Sequence, residues 1–178
     1  MKELSKIALN VNPSTTLAID SLAKQMKADG LDVIGFGTGE PDFMTPENIS
    51  EAGISAIREG KTKYTPAAGI IPLRKAAAER LKADCGLDYD YTQIVIASGA
   101  KHNVYVSLAV LLNPGDEVIV PAPYWVSYCE MVSMCGGVPV VVETTEAADF
   151  KMTPEQLERA VTPKTKALML NNPSNPTG

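Results

Sequence analysis

Four short apolar runs constrain what this chain can fold into. They are Ile94 to Ala97, "EVIVP" around Val118-Ile119-Val120, "VPVVVE" from Val138, and "KALMLN" around Leu168. None alternates polar with apolar, so each needs cover on both faces. Helix signals lie between them. Ser14 or Thr15 can cap a helix to about Asp29, with Gly30 as its stop. Thr45-Pro46-Glu47 is a second helix entry, ending at Gly60, and a third helix covers about Leu73 to Cys85 before Gly86. A tight turn and helix follow Ala97 and break at Asn113-Pro114-Gly115-Asp116. Trp125 to Cys135 forms a further helix, ended by Gly136-Gly137. Thr153-Pro154-Glu155-Gln156 carries the Thr-x-x-Gln pattern of a capping box. Alternation of this kind predicts an α/β fold, a mostly parallel sheet covered by helices. Residues 1–45 read as an N-terminal arm and helix, and 46–178 as the first part of the sheet domain.

A chain of 178 residues can bury one sizeable core. The net charge of −5, with no Lys/Arg cluster, argues against nucleic acid or an anionic membrane as partner. No apolar run is long enough to span a bilayer, and Met1 to Ser5 has no signal-peptide core. Cys85, Cys129 and Cys135 lack CxxC spacing and there is one histidine, so no metal site is expected. Reduced cysteines in a cytoplasmic protein are the expectation.

Three stretches can carry chemistry. Gly35-Phe36-Gly37-Thr38-Gly39-Glu40 approaches the dinucleotide fingerprint, but its third glycine is displaced and Pro41-Asp42 stands where the helix should begin. It reads either as a turn bringing backbone amides close to a ligand or as a plain turn. Ser98-Gly99-Ala100-Lys101 joins a strand to a helix, where unpaired first-turn amides suit an anion. P-loop spacing is absent, and such a junction is often only a tight connection. His102, one residue on, reads as a helix-surface residue. The third stretch is "NNPSNPTG", Asn171 to Gly178, a loop too rich in Pro, Asn and Gly for helix or central strand. Its Asn175 offers an amide held by rigid neighbours. Pro121-Ala122-Pro123-Tyr124-Trp125 ends another strand, and Trp125 either stacks on a flat ligand or fills the core.

Taken together, "PSTTLAI", "GTGEPDF", "EGKTKYTPAAGI", "ASGAKHN", "NPGDEVIVPAPYWVSY", "TPKTKAL" and "NPSNPTG" resemble the class I pyridoxal-phosphate aminotransferases, on their bacterial aspartate aminotransferase branch. The resemblance covers essentially the whole chain. It implies the N-terminal part of the large domain of a fold type I transferase, with pyridoxal 5'-phosphate as cofactor. Gly99, Ala100 and Lys101 would lie at the cofactor phosphate, Trp125 on the pyridine ring, and Asn175 at the ring's phenolic oxygen. Tyr64 would reach the phosphate of a second subunit in a homodimer. Gly39 would present its backbone to the substrate α-carboxylate, while Thr16 and Lys101 would help bind an acidic side chain, beside Trp125 and Asn175. Residues 1–45 would contribute to the small domain and substrate site. "GIIPLR", His102 and Asn172 depart from the family pattern, and His102 stands where it can adjust substrate choice.

The family's chemistry also needs a Schiff-base lysine, an aspartate at the pyridine nitrogen and an arginine for the α-carboxylate. By the resemblance all three lie beyond the Asn-Pro-x-Gly loop, so no catalytic residue is assigned here; Lys101, Lys164 and Lys166 do not match the Schiff-base position. The expectation is an N-terminal segment of an enzyme exchanging an amino group between aspartate and 2-oxoglutarate. Aromatic amino acids, prephenate or alanine are the alternative substrates. A non-catalytic cofactor-site and dimerisation fragment is the alternative outside catalysis. The resemblance further implies that the strand at 94–97 pairs with chain not present here and so lacks a neighbour, while the other three strands form one group.

Overall fold

A computed structural model describes residues 3–37 and 39–178; Met1, Lys2 and Thr38 of the Gly-rich turn lie outside the described residues. The backbone divides into two compact units, residues 1–35 with 104–178, and residues 36–103.

The first unit is built around β1 (Glu117–Ala122). It lies between β2 (Val138–Glu143) and β3 (Thr165–Leu168), and both pairings are parallel. Three of the four anticipated apolar runs therefore form one group of strands. Because β1 is paired on both edges and covered on both faces, Val118, Ile119 and Val120 are completely buried. β1 and β2 run in register from Glu117↔Val138 to Ala122↔Glu143. The β3 ladder is irregular: Glu117 faces Thr165 but Val118 faces Ala167, which leaves Lys166 as the extra, exposed residue of a bulge.

Helices cover this sheet. α5 (Ala100–Leu111) starts in the second unit and reaches the first from Val104 onward. Leu108 and Leu112 pack with Val118, Val120, Met131 and Val132 as the core. Met131 and Val132 belong to α6 (Ser127–Met134), which starts two residues after the anticipated Trp125. α7 (Pro154–Ala160) has its capping box in place: Gln156 N donates to Thr153 Oγ1 at 3.2 Å, and Thr153 N donates to Gln156 Oε1 at 2.9 Å. Gln156 Nε2 also donates to Glu143 O at 3.0 Å, which fastens α7 to the end of β2. At the N-terminus α2 (Thr15–Ala28) is capped by Ser14, whose hydroxyl accepts from Leu17 N. A four-residue helix precedes it, α1 (Lys6–Leu9), capped by Ser5.

The second unit holds α3 (Glu47–Arg58) and α4 (Ile71–Cys85). α3 starts without the side-chain cap expected from Thr45; Pro46 takes the cap position, and its carbonyl accepts from Ile49 N and Ser50 N. α4 starts earlier than Leu73, at Ile71 with Pro72 in its first turn, and Gly86 ends it at φ +70°. After a single 3-10 turn, Tyr91–Gln93, the chain extends through residues 94–97. Its apolar run reads as a buried strand and the resemblance leaves that strand without a neighbour; it belongs to no sheet among the described residues, so the missing neighbour is as expected and the burial is not. The reason is the missing ladder: Ile96 N donates to Ala68 O in a loop, and Val95 stays exposed. It is extended backbone without a strand beside it.

Candidate functional site

In the second unit the extended segment feeds the glycine junction. Several contacts hold that segment, among them the following. Arg74 Nε donates to Ile94 O at 2.8 Å, Ile96 N donates to Ala68 O at 3.0 Å, and Gly69 lies against Ile96. Gly69 has φ +96°, and a Cβ there would sit 2.8 Å from Ile96 Cβ, so this approach requires glycine. Arg74 and Lys75 also lie over the Tyr91 ring at 5.4 and 5.3 Å.

The chain then turns at Gly99, with φ +80°, and α5 begins at the next residue. Nothing lies within 4 Å of the position a Gly99 Cβ would take. Ser98, Gly99, Ala100 and Lys101 are all exposed. A helix leaves its first N–H groups without intrahelical partners, and its dipole places positive charge at that end. The junction is thus open and exposed at the head of α5, the setting that the sequence reading associates with an anion. His102 is exposed on α5, as its sequence position suggested. Tyr64, on the loop between α3 and α4, has a fully exposed side chain. Gly39 is exposed too, and a Cβ there would meet nothing.

In the first unit the site residues follow the ends of β1 and β3. Ala122-Pro123 is a cis peptide, and the Thr144 hydroxyl donates to Ala122 O, tying the end of β1 to the residue after β2. Trp125 is half-buried. It packs against the core and meets Tyr128 edge-on, with centroids 5.5 Å apart and planes at 84°. Tyr124 has its ionisation pushed up to about 12, first by the Cys129 thiol beside its hydroxyl and then by burial. Burial in turn raises the pKa of Cys129 and Cys135, so both are thiols at neutral pH.

Beyond β3 the chain folds on itself. Asn175 N donates to Asn171 Oδ1 at 2.6 Å, and Gly178 N donates to Ser174 O at 2.8 Å. These bonds make a compact turn that displays Asn175 at the surface. Pro121, Tyr124, Phe150, Leu157, Asn171 and Asn175 help line a cavity of about 660 Å³ beside the ends of β1 and β3. Thr16 lies half-buried in the first turn of α2. Two residues before its cap, Asn12 N and Nδ2 donate to the two carboxylate oxygens of Glu130, at 3.2 and 2.9 Å.

Trp125, Asn175 and Thr16 therefore belong to the first unit, and Gly39, Tyr64, Gly99, Ala100 and Lys101 to the second. Sequence reasoning missed Asn171 as the organiser of its loop, although an Asn four residues before Asn175 was a visible signal. It also missed Gly69 and the Asn12–Glu130 pair, whose partners are too far apart in sequence to announce themselves. Among the described residues no group of His, Cys, Asp or Glu is arranged to hold a metal ion.

Comparison with known proteins gives these placements a family. The family model for aminotransferase class I and II matches residues 31–178. The aspartate aminotransferase of Bacillus sp. (strain YM-2) is 53% identical over 179 residues, covering 100% of this chain and 46% of the relative. A probable aspartate/prephenate aminotransferase of Rhizobium leguminosarum bv. phaseoli is 51% identical, covering 100% of this chain and 44% of the relative. Among solved structures, the aspartate aminotransferase from Thermus thermophilus with maleate superposes with a TM-score of 0.96 at 45% identity, over 99% of this chain and 46% of that one. The chain thus spans a little under half the length of the relatives it matches. With the fold, the order of its elements and most of its length in agreement, the chain belongs to the class I and II aminotransferase family.

Proposed function

We propose that the protein carrying this chain transfers an amino group between an acidic amino acid, aspartate foremost, and a 2-oxo acid, using pyridoxal 5'-phosphate. The observation that carries this reading is the whole-chain likeness to an aspartate aminotransferase described with maleate, a four-carbon dicarboxylate. The described residues fit the cofactor in one respect that does not depend on the comparison. The Gly99 junction is open, exposed and positioned at the head of a 12-residue helix, as a phosphate requires. When bound, the cofactor supplies an electron sink for the carbanion formed at the substrate α-carbon.

In this reading the amides of Gly99, Ala100 and Lys101 hold the phosphate. The Trp125 indole covers the ring face, and Asn175 donates its amide to the ring oxygen. Tyr64 reaches the phosphate of a second copy in a homodimer, an assignment supported by the full exposure of its side chain. Gly39 presents its backbone to the α-carboxylate, and Thr16 with Lys101 takes the distal carboxylate. Residues 1–45 contribute to the small domain and the substrate site, and 46–178 form the first part of the cofactor-binding domain. No residue of this chain is assigned the Schiff-base role, so binding and orientation are its contribution. A cytoplasmic location belongs to the same proposal; among the described residues no helix is long and apolar enough to cross a membrane.

Steady-state transfer from aspartate to 2-oxoglutarate, followed as oxaloacetate formed, tests the reading. Cofactor-dependent turnover supports it, and absence of turnover with saturating cofactor overturns it. A second reading is favoured by the Rhizobium relative's name: prephenate as an alternative acceptor. Comparing kcat/KM for prephenate and 2-oxoglutarate decides between an exclusive and a shared site.

A further inference from the structure

The Asn12–Glu130 pair is a polar tie that joins the N-terminal arm to a helix more than a hundred residues away. We propose that Asn12 and Glu130 form a positioning clasp that sets the first turn of α2, and with it Thr16, for the substrate. The substrate role of Thr16 rests on the reading under Proposed function; the clasp itself rests on geometry alone.

Glu130 sits on α6, the helix that also carries Tyr128, against which Trp125 packs edge-on. Its two carboxylate oxygens accept from the two donors of one residue, so Asn12 is fixed in orientation as well as position. Pro13 follows and restricts the backbone, then Ser14 caps α2 through Leu17 N, and Thr16 is the second residue of the helix. Only three residues separate the clasp from Thr16. α1, on the other side of Asn12, makes its contacts with α6 as well. α6 therefore acts as a common platform, holding Trp125 through Tyr128 and the arm through Glu130.

The donor count makes the pair testable. Asn12→Asp sets a carboxylate against the Glu130 carboxylate and breaks the side-chain bond. Adding Glu130→Gln restores it in reverse, because the new amide donates to the new carboxylate while its oxygen still accepts from the residue 12 N–H. Three forms of the native protein are compared: wild type, Asn12→Asp, and Asn12→Asp with Glu130→Gln. The readouts are hydrogen exchange over residues 12–17, cofactor affinity, and kcat with KM for aspartate. The expected result is faster exchange and a several-fold higher KM in the single variant, with kcat and cofactor affinity unchanged, and recovery of both in the double variant. Unchanged exchange in the single variant overturns the clasp, whatever the activity. Faster exchange with an unchanged KM overturns the link to Thr16. If wild type transfers no amino group at all, the proposed function fails and the Thr16 role fails with it, while exchange still reports on the clasp.

Discussion

Gly69→Ala is the sharpest probe of how the second unit holds its glycine junction. The new Cβ would lie 2.8 Å from Ile96 Cβ and 2.9 Å from Ile96 Cγ1, distances real Cβ atoms essentially never show. Neither partner is the end of a flexible side chain, so backbone must move. At φ +96° the alanine also carries backbone strain, on the order of 1–3 kcal/mol. Overpacking adds about 1–3 kcal/mol, and the reduced entropy of the unfolded chain returns about 0.4–1 kcal/mol. The net loss is about 1–6 kcal/mol, a large share of a stability of about 5–15 kcal/mol. The lowered denaturation midpoint should come with an unchanged m value. A cycle with Ile96→Gly separates the two contributions, because removing the Ile96 side chain should leave only the strain. Because Ile96 is three residues before Gly99, weakened cofactor affinity is expected too. Stability within about 0.5 kcal/mol of wild type would refute the reasoning, since surface changes alone produce shifts of that size.

Gly99→Val should weaken cofactor binding, measured by equilibrium titration, through strain at φ +80° and a side chain projecting into the space open to a phosphate. Tyr64→Phe should leave thermal stability unchanged because the side chain makes no buried contact, while costing roughly 0.5–3 kcal/mol of cofactor affinity. An unchanged cofactor Kd would remove its role at the phosphate. Thr153→Ala should destabilise by about 1 kcal/mol through loss of the capping box, read by urea denaturation. One tyrosine should titrate near 12 in a phenolate absorbance scan. Because folding raises the Tyr124 pKa, its contribution to stability is complete below the ordinary value of 10.0 and is lost as pH rises towards 12.

Local chemistry was legible where one residue type does one job. Ser14 caps α2, Gly86 stops α4, and Thr153 with Gln156 boxes α7, because each satisfies orphan donors or adopts φ > 0 within a few residues. The three paired strands were legible because a continuous apolar run has few other fates. Residues 94–97 carry the same pattern, yet pairing is a property of the neighbour, which no single run encodes. The start of α4 lies two residues before the expected Leu73, because Pro72 is accommodated in the first turn, where its missing N–H costs no intrahelical bond. Of the site, the Gly99 junction was legible as a glycine turn leading into a helix, though the segment before it is extended backbone rather than a paired strand. The Asn175 turn was legible as a loop, without Asn171 as its anchor. The Asn12–Glu130 tie was invisible, since an Asn in an arm and a Glu in a helix are individually unremarked.

The proline in β2 gives the small sheet a direction. Val138 N donates inward to Asp116 O, and consecutive backbone donors in a strand point to opposite edges, so the donor that Pro139 lacks belongs to the outer edge of β2. That margin cannot offer a continuous template. The opposite margin, along β3, contains no proline, and its one irregularity is the bulge at Lys166. A newcomer strand, whatever polypeptide supplies it, meets a terminated border beyond β2 and a receptive one beyond β3. Among the described residues the sheet is thus better suited to extension from β3 than from β2, and Lys166 is the charged residue that β3 sets against it.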